Sequence, residues 1–224
     1  MAVLSKAEAV LAVRRRINEP TASTILDAQI EEWLNRGARQ VSSLTLCKPT
    51  SEITVLTINK MNYIQTANFI KIASVSVATS AAPTDVLRGL QRINPWQIGH
   101  VALPTSGIVN YWTAWGKDGD TTMIGVYPTA VATGNSMHAH GFILAEEYGT
   151  SGDQLPIELN NLAIIYAVAC YHIREGRHQK AALELQKFFS MCMNARSFTY
   201  TLNEIPDTAD MRKLADVKVL PQQQ

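Results

Sequence analysis

The spacing of hydrophobic residues divides the chain into three stretches, helical at both ends and extended between them. Residues 1–47 repeat apolar side chains every three or four positions, which is the period of an amphipathic helix. Residues 48–153 alternate apolar and polar positions in short runs, as strands do. The helical period returns over residues 154–198. This order predicts an α+β fold, in which 1–47 and 154–198 form a discontinuous helical bundle and 48–153 form an inserted β domain.

The first stretch predicts two helices. Ser5 and Glu8 have the spacing of a capping box, and Pro20 ends the first helix. Ser23 or Thr24 can cap the second helix. This second helix has polar residues on one face, so it is expected to pack on one side only. Its apolar stripe contains Leu26, Ile30, Trp33, Leu34, Val41 and Leu44.

The last helical stretch predicts a third and a fourth helix, separated at Gly176. Pro156 suits the first position of the third helix, because its missing N–H group has no partner there. Apolar residues surround the third helix almost completely, so it is either central in its domain or covered by a partner chain. Residues 199–224 lose the helical period and are predicted to form an extended tail. The residues expected to pack within the bundle or between subunits are Trp33, Leu34, Ile165, Tyr166, Phe188 and Phe189.

The middle stretch predicts a small antiparallel β-sandwich or barrel made of short strands. Residues 53–58 are apolar or β-branched at almost every position, which suits a strand that is buried on both sides or lies at an interface. A glycine-rich segment at 116–120 is typical of a hairpin turn. One turn of helix is expected around Trp96. The other predicted strands cover residues 69–78, 109–115, 121–127 and 137–145.

Net charge and cysteine content exclude several classes of protein. A formal charge of +1 argues against a protein that coats nucleic acid, since neutralising phosphates needs a basic excess. The three cysteines are an odd number without metal-like spacing, so a disulfide framework is not expected and a reducing cytoplasm suits folding. The longest apolar run, residues 162–170, is too short to cross a bilayer. These features predict a soluble protein that is synthesised in the cytosol, begins without a signal peptide and has no membrane partner.

The residue types that carry catalysis do not form a recognisable motif. Residues 149–153 come nearest to a nucleophile elbow, but Asp153 stands where the second glycine is required. His138 and His140 lie on one side of a predicted strand, yet a metal site needs three or four ligands. The chain is therefore expected not to be an enzyme and to hold no metal or cofactor. Trp112 and Trp115 are either part of the sheet core or a platform for a ligand.

Arg14, Arg15 and Arg16 form the densest basic run in the chain. Cations at the C-terminal end of a helix are favourable because they oppose the helix dipole, so the run has a structural explanation. It also has a functional explanation, which is contact with an acidic partner surface or with DNA phosphate. Both interpretations stay open from the sequence.

Several segments resemble the head-to-tail adaptors of tailed bacteriophages, including the type called tail tubular protein A. Residues 27–38 are similar to the second helix of that family, and residues 69–75 to one of its strands. The order and spacing of the segments, over about residues 20–198, carry the resemblance. The chain departs from the family at residues 63–65, where many members have tyrosine-leucine-proline, and over 79–108. The other similar segments are 125–128, 155–167 and 176–177.

The resemblance implies a virion structural protein, located in the neck and assembled in the host cytoplasm. It implies a ring, typically of twelve copies, between the portal protein and the tail nozzle or tail tube, with phage DNA passing through the lumen without sequence-specific binding. Another neck or tail ring component, such as a head-closure or terminator protein, and a ligand-binding module using the aromatic-rich sheet are the alternatives. Candidate contacts with the portal or a neighbouring subunit are Arg14, Arg15, Arg16, Phe198, Tyr200, Leu202 and Leu220.

Overall fold

The computed structural model contains five α-helices and two four-stranded sheets in its described part. The described residues are 5–19, 24–78, 87–98, 106–118, 121–130, 134–145, 147–149 and 155–203. The helices are α1 (Lys6–Ile17), α2 (Asp27–Thr45), α3 (Pro95–Ile98), α4 (Asn160–Arg174) and α5 (His178–Asn203). The strands are β1 (Pro49–Val55), β2 (Asn62–Gln65), β3 (Phe69–Ala78), β4 (Arg88–Gly89), β5 (Gln91–Arg92), β6 (Ser106–Gly107), β7 (Tyr111–Asp118), β8 (Thr121–Tyr127), β9 (Thr129–Ala130) and β10 (Ser136–Ile143).

The capping box predicted for α1 is confirmed. The Ser5 hydroxyl accepts a hydrogen bond from the Glu8 N–H, and the Glu8 carboxylate accepts one from the Ser5 N–H at 2.8 Å. These hydrogen bonds stabilise the charged carboxylate and lower the pKa of Glu8. The helix ends at Ile17, after which Asn18 adopts the left-handed conformation that commonly closes a helix.

The cap predicted for α2 is wrong. Its first flanking residue is Leu26, which makes no side-chain cap, while Ser23 lies outside the described residues. Thr24 lies two residues before Leu26, and its hydroxyl donates to the Glu19 carboxylate. The helix begins instead at Asp27, an acidic residue whose charge suits the N-terminal turn.

The four long helices share one hydrophobic core. α2 and α4 approach closely where Gly37 lies against the backbone of Ala163. α4 is buried around most of its circumference by α1, α2 and α5 of the same chain. Its central position in the bundle is therefore sufficient to explain its apolar surface, without a partner chain. The centre of this core contains Val13, Ile30, Leu34, Val41, Leu162, Ala163, Ile165, Phe188 and Cys192.

The strands form two open sheets around a second hydrophobic core. The strand order is β1-β10-β3-β4 in one sheet and β2-β8-β7-β5 in the other. A closed barrel is excluded for the strands that the structure describes. The prediction of a purely antiparallel domain also needs correction, since β5 pairs with β7 and β6 with β9 in parallel, over two residues each. The residues shared by this core include Tyr63, Phe69, Val75, Trp112, Ile124, Val126 and Met137.

Strand β1 differs from the prediction for residues 53–58. It ends at Val55, and its outer residues Ile53 and Val55 are 63% and 61% exposed. Burial on both sides is therefore wrong for the single chain. The alternative, a strand that lies at an interface, is compatible with this exposure.

The ends of α4 and α5 differ from the predicted helix ends. A single 3₁₀ turn, Ile157–Leu159, follows Pro156, and α4 begins only at Asn160. Gly176 separates the two helices, as predicted, and has a φ of 68°. The prediction that the extended tail starts at residue 199 is wrong, because α5 continues to Asn203. Neither glycine nor proline occurs between Arg177 and Pro206 to interrupt the helix. The rest of the predicted tail, 204–224, lies outside the described residues.

Candidate interaction surfaces

Arg14 joins the end of α1 to the start of α2. Its Nε donates to Asp27 Oδ1 at 2.8 Å, and its Nη2 donates to the carbonyl of Ile25 at 2.8 Å. A third hydrogen bond goes to the carbonyl of Glu19. Because the side chain is only 4% exposed, the prediction of Arg14 as a docking contact is wrong. Its charge is used inside the subunit to fix the angle between two helices.

Removing the carboxylate that faces Arg14 is expected to destabilise the fold. Asp27→Ala removes the carboxylate that faces a buried guanidinium, so the free energy of unfolding should fall by about 2 kcal/mol. Urea denaturation followed by circular dichroism measures the change. Glu32→Ala is the matched control, since the Glu32–Arg36 ion pair is more than half exposed and should contribute under about 0.5 kcal/mol. Equal losses in the two variants would contradict this assignment.

Arg15 and Arg16 remain on the surface. Arg15 is exposed, and the guanidinium of Arg16 donates to Asn161 Oδ1 at 2.6 Å while staying exposed. The basic run thus separates into one structural arginine and two that can reach a partner. The helical spacing could have identified Arg14 as the buried arginine of the three, because it shares a face of α1 with Val10 and Ile17.

The six predicted packing residues separate into buried and exposed groups. Leu34, Ile165 and Phe188 are fully buried. Trp33 and Tyr166 are partly buried against the same core, and the Tyr166 and Phe188 rings lie 5.3 Å apart. Phe189, by contrast, is 48% exposed. Its neighbour Phe188 therefore holds the bundle together, while Phe189 faces outward.

Phe189 belongs to an exposed apolar flank of α5, which we define as Ala182, Phe189 and Met193. These residues are seven and four positions apart and therefore lie on one side of the helix. Met193 is 57% exposed. The sequence reasoning missed Met193, although its spacing of four from Phe189 indicates the shared side. Apolar side chains grouped on an exposed helix face are typical of a surface that binds protein.

The four tail residues predicted as contacts are described only in part. Phe198, Tyr200 and Leu202 lie in the last turns of α5, where the structure describes the backbone but not the side chains. Leu220 lies outside the described residues. Their contacts with a portal or a neighbour remain predictions.

The tryptophans predicted as an alternative ligand platform do not lie side by side. Trp112 is buried in the core of the strands, where the Arg92 guanidinium stacks on its ring at 5.3 Å. Trp115 lies on the outer face of the sheet, where its Nε1 covers Gly125 so closely that a Cβ there would stand 2.3 Å away. One ring is structural and the other exposed, so the pair does not line a common groove.

The remaining candidate residues form no clear chemical site. His138 shares a hydrogen bond with Ser136, and no group of three metal-ligating side chains occurs among the described residues. Burial raises the pKa of the Cys47 thiol, and burial together with the Cys47 charge raises that of Cys192 to about 11. Both thiols are therefore protonated at neutral pH and poorly nucleophilic. No described helix is long and apolar enough to span a bilayer.

The comparison with protein families decides between an adaptor, another ring component and a ligand-binding module. The family model of the SU10 adaptor protein matches residues 6–205, which is nearly the whole chain. The chain belongs to the SU10 adaptor protein family. It is a head-to-tail adaptor, a structural protein of the virion.

Curated proteins and solved structures give two further comparisons. No curated protein matches the adaptor. Among solved structures, a chain from the "Neck of empty GTA particle computed with C6 symmetry" is similar at 16% sequence identity with a TM-score of 0.28. The similarity covers 77% of the adaptor and 81% of that chain.

Proposed function

We propose that the adaptor acts as a closed ring, typically of twelve copies, between the portal protein and the tail nozzle or tail tube. Phage DNA passes through the lumen of this ring without sequence-specific binding, and the protein has no catalytic activity. The observation that carries the proposal is the family match over residues 6–205. Within the ring, the helical bundle meets the portal and the β domain faces the tail, as in adaptors of the tail tubular protein A type.

The flank of α5 supports contact between subunits. A ring of identical chains needs one surface of each copy to bind a different surface of the next, with a rotation that closes. Phe189 and Met193 together offer an apolar surface that the described part of the subunit leaves uncovered. Burying large apolar side chains against a neighbour contributes about 1.5–3 kcal/mol for each fully covered residue. The second copy is therefore the proposed occupant of this flank.

Docking to the portal is proposed for the exposed cations of α1 and for the end of the chain. Arg15 and Arg16 are accessible to an acidic partner surface. The C-terminal candidates Phe198, Tyr200, Leu202 and Leu220 follow Cys192, the last fully buried residue among those whose burial the structure describes. A chain end that docks on a partner can bury a large surface.

The charge balance supports a conduit rather than a nucleic-acid binder. Each neutralised phosphate releases a counterion and adds affinity, so a strongly basic lumen would retain the DNA that passes through it. The adaptor has 20 basic and 19 acidic residues. A near-neutral chain allows DNA to move along the channel.

Native mass spectrometry of the adaptor mixed with the portal protein of the same genome tests the ring. We expect a portal ring that carries as many adaptor copies as portal copies. Two species that never associate, under conditions where the portal ring is intact, would overturn the proposal and favour another neck component.

A variant pair locates the contact between subunits. Phe189→Asp combined with Met193→Asp should leave the helical circular dichroism unchanged and abolish the ring, because two carboxylates would have to be buried. Leu183→Asp is the control. Leu183 is 66% exposed on α5 but lies roughly a third of a turn away from the flank, so its variant should still assemble. Normal rings formed by the double variant would show that this flank is not the contact.

A further inference from the structure

Strand β1 is the most open element of the β domain. It pairs with β10 alone in the described part of the chain, over seven residues and without a register shift. No residue of β1 is buried, whereas β3, β8 and β10 each bury at least four. Among the described residues, the other edge of β1 has no strand partner, and it lies beside the exposed side chains of Ile53 and Val55. Proteins seldom leave such an edge uncovered, because it can pair with another chain.

Two of the features that protect an edge strand, a proline and an inward-pointing charge, occur in β1, but neither interrupts its outward face at Ile53 and Val55. It has no lysine and no bulge, and its single proline, Pro49, stands at the first position. The Glu52 carboxylate is turned inward and accepts hydrogen bonds from the N–H groups of Thr66 and Ala67 at 2.8 and 2.7 Å. Glu52 therefore stabilises the turn after β2, and the outward face of β1 has no charged residue.

The C-terminal segment contains a short run with the composition of a strand. Residues 216–220 read Asp-Val-Lys-Val-Leu, in which the β-branched Val217 and Val219 alternate with polar neighbours. As a strand, the run would place both valines on one face, beside Ile53 and Val55. Lys218 would then lie on the other face, the same side as Glu52, which has the opposite charge. Pro221 ends the run.

The position of α5 brings this segment within reach of β1 in the same chain. Cys192 of α5 and Cys47, two residues before β1, are both buried in the helical core. From Cys192 to Asn203 the helix rises about 16 Å. Residues 204–216 can then span up to about 43 Å, while β1 is about 23 Å long. A tether of this length holds the run at an effective concentration in the millimolar range.

We infer that, in the free subunit, residues 216–220 add to the open edge of β1 of their own chain as a further strand. The occupied edge cannot template pairing between free subunits before assembly. The inference concerns the subunit alone and does not depend on the proposed ring. In the neck, the run must leave β1 before Leu220 can contact a portal.

Hydrogen–deuterium exchange of the full-length subunit tests the inference at residues 49–55. We expect most amides of β1 to be protected, including those that do not face β10. Val217→Asp combined with Val219→Asp should accelerate exchange in this segment roughly tenfold, because two cross-strand pairs and their backbone hydrogen bonds are lost. Thr208→Asp combined with Ala209→Asp adds the same charge outside the run and should leave the exchange unchanged.

Dilution distinguishes the same chain from a neighbouring one. Protection that persists after tenfold dilution supports pairing within one chain. Protection that disappears on dilution would overturn the inference in favour of strand exchange between copies. Fast exchange of β1 in the unsubstituted protein, or equal exchange in the two double variants, would show that the run does not cover this edge.

Discussion

Replacing Phe188 by alanine is expected to lower the free energy of unfolding by about 4 kcal/mol, because a fully buried aromatic ring leaves a cavity that the helices cannot close. Phe188 lies at the contact of α5 with α4, where its ring meets Tyr166 at a centroid distance of 5.3 Å. The tilted arrangement of the two rings adds about 0.5–1.5 kcal/mol beyond the burial of area. Urea denaturation monitored by helical circular dichroism measures the loss.

The neighbouring residue is the matched control for this prediction. Phe189→Ala removes the same atoms from the same helix, but the Phe189 ring is 48% exposed and lies outside the helical core. Its loss of stability should stay below about 1.5 kcal/mol, while ring assembly should weaken. A similar large loss in both variants would mean that α5 is oriented differently from the structure.

Replacing Gly37 by leucine is expected to destabilise the subunit by about 3 kcal/mol, with a fall in Tm of roughly 6–12 °C. A Cβ at this position would stand 2.9 Å from the carbonyl oxygen of Ala163 and 3.0 Å from its Cα. These are backbone atoms of α4, so the clash can be relieved only by separating the two helices. Helix propensity favours leucine over glycine by up to about 1 kcal/mol, which opposes the loss without cancelling it.

An exposed position on the same helix provides the control. Ala28→Leu lengthens a side chain on the solvent face of α2, so Tm should change by less than about 2 °C. Differential scanning calorimetry of the two variants and the unsubstituted protein separates the effects. A Gly37→Leu protein that melts like the control would show that α2 and α4 do not approach at this residue.

The helices were accessible to sequence reasoning because their signals are local. The capping box of Ser5 and Glu8, the apolar stripe of α2 and the break at Gly176 each involve residues within a few positions of one another. The strands predicted at 69–78 and 121–127 agree with β3 and β8. The resemblance to adaptors rested on the order of these same segments.

The wrong predictions concern residues whose surroundings are formed by other parts of the chain. Helix α2 begins after Leu26 and has no side-chain cap, and Arg14 is buried because Asp27 and two carbonyls surround it. In the parallel pairs of β5 with β7 and of β6 with β9, the strands β5, β6 and β9 are only two residues long and have no periodicity of their own. Which partner prevails in each case depends on packing across the whole chain.

By itself, the sequence determined the α+β order of the elements and the family to which the adaptor belongs, since both depend on patterns along the chain. Only the tertiary structure decided which side chains remain for partners. Phe188 and Phe189 are chemically identical neighbours, yet a turn of about 100° on the helix buries one against α4 and exposes the other. The helical period separates the two rings onto different faces, but which face is covered depends on how the rest of the chain packs.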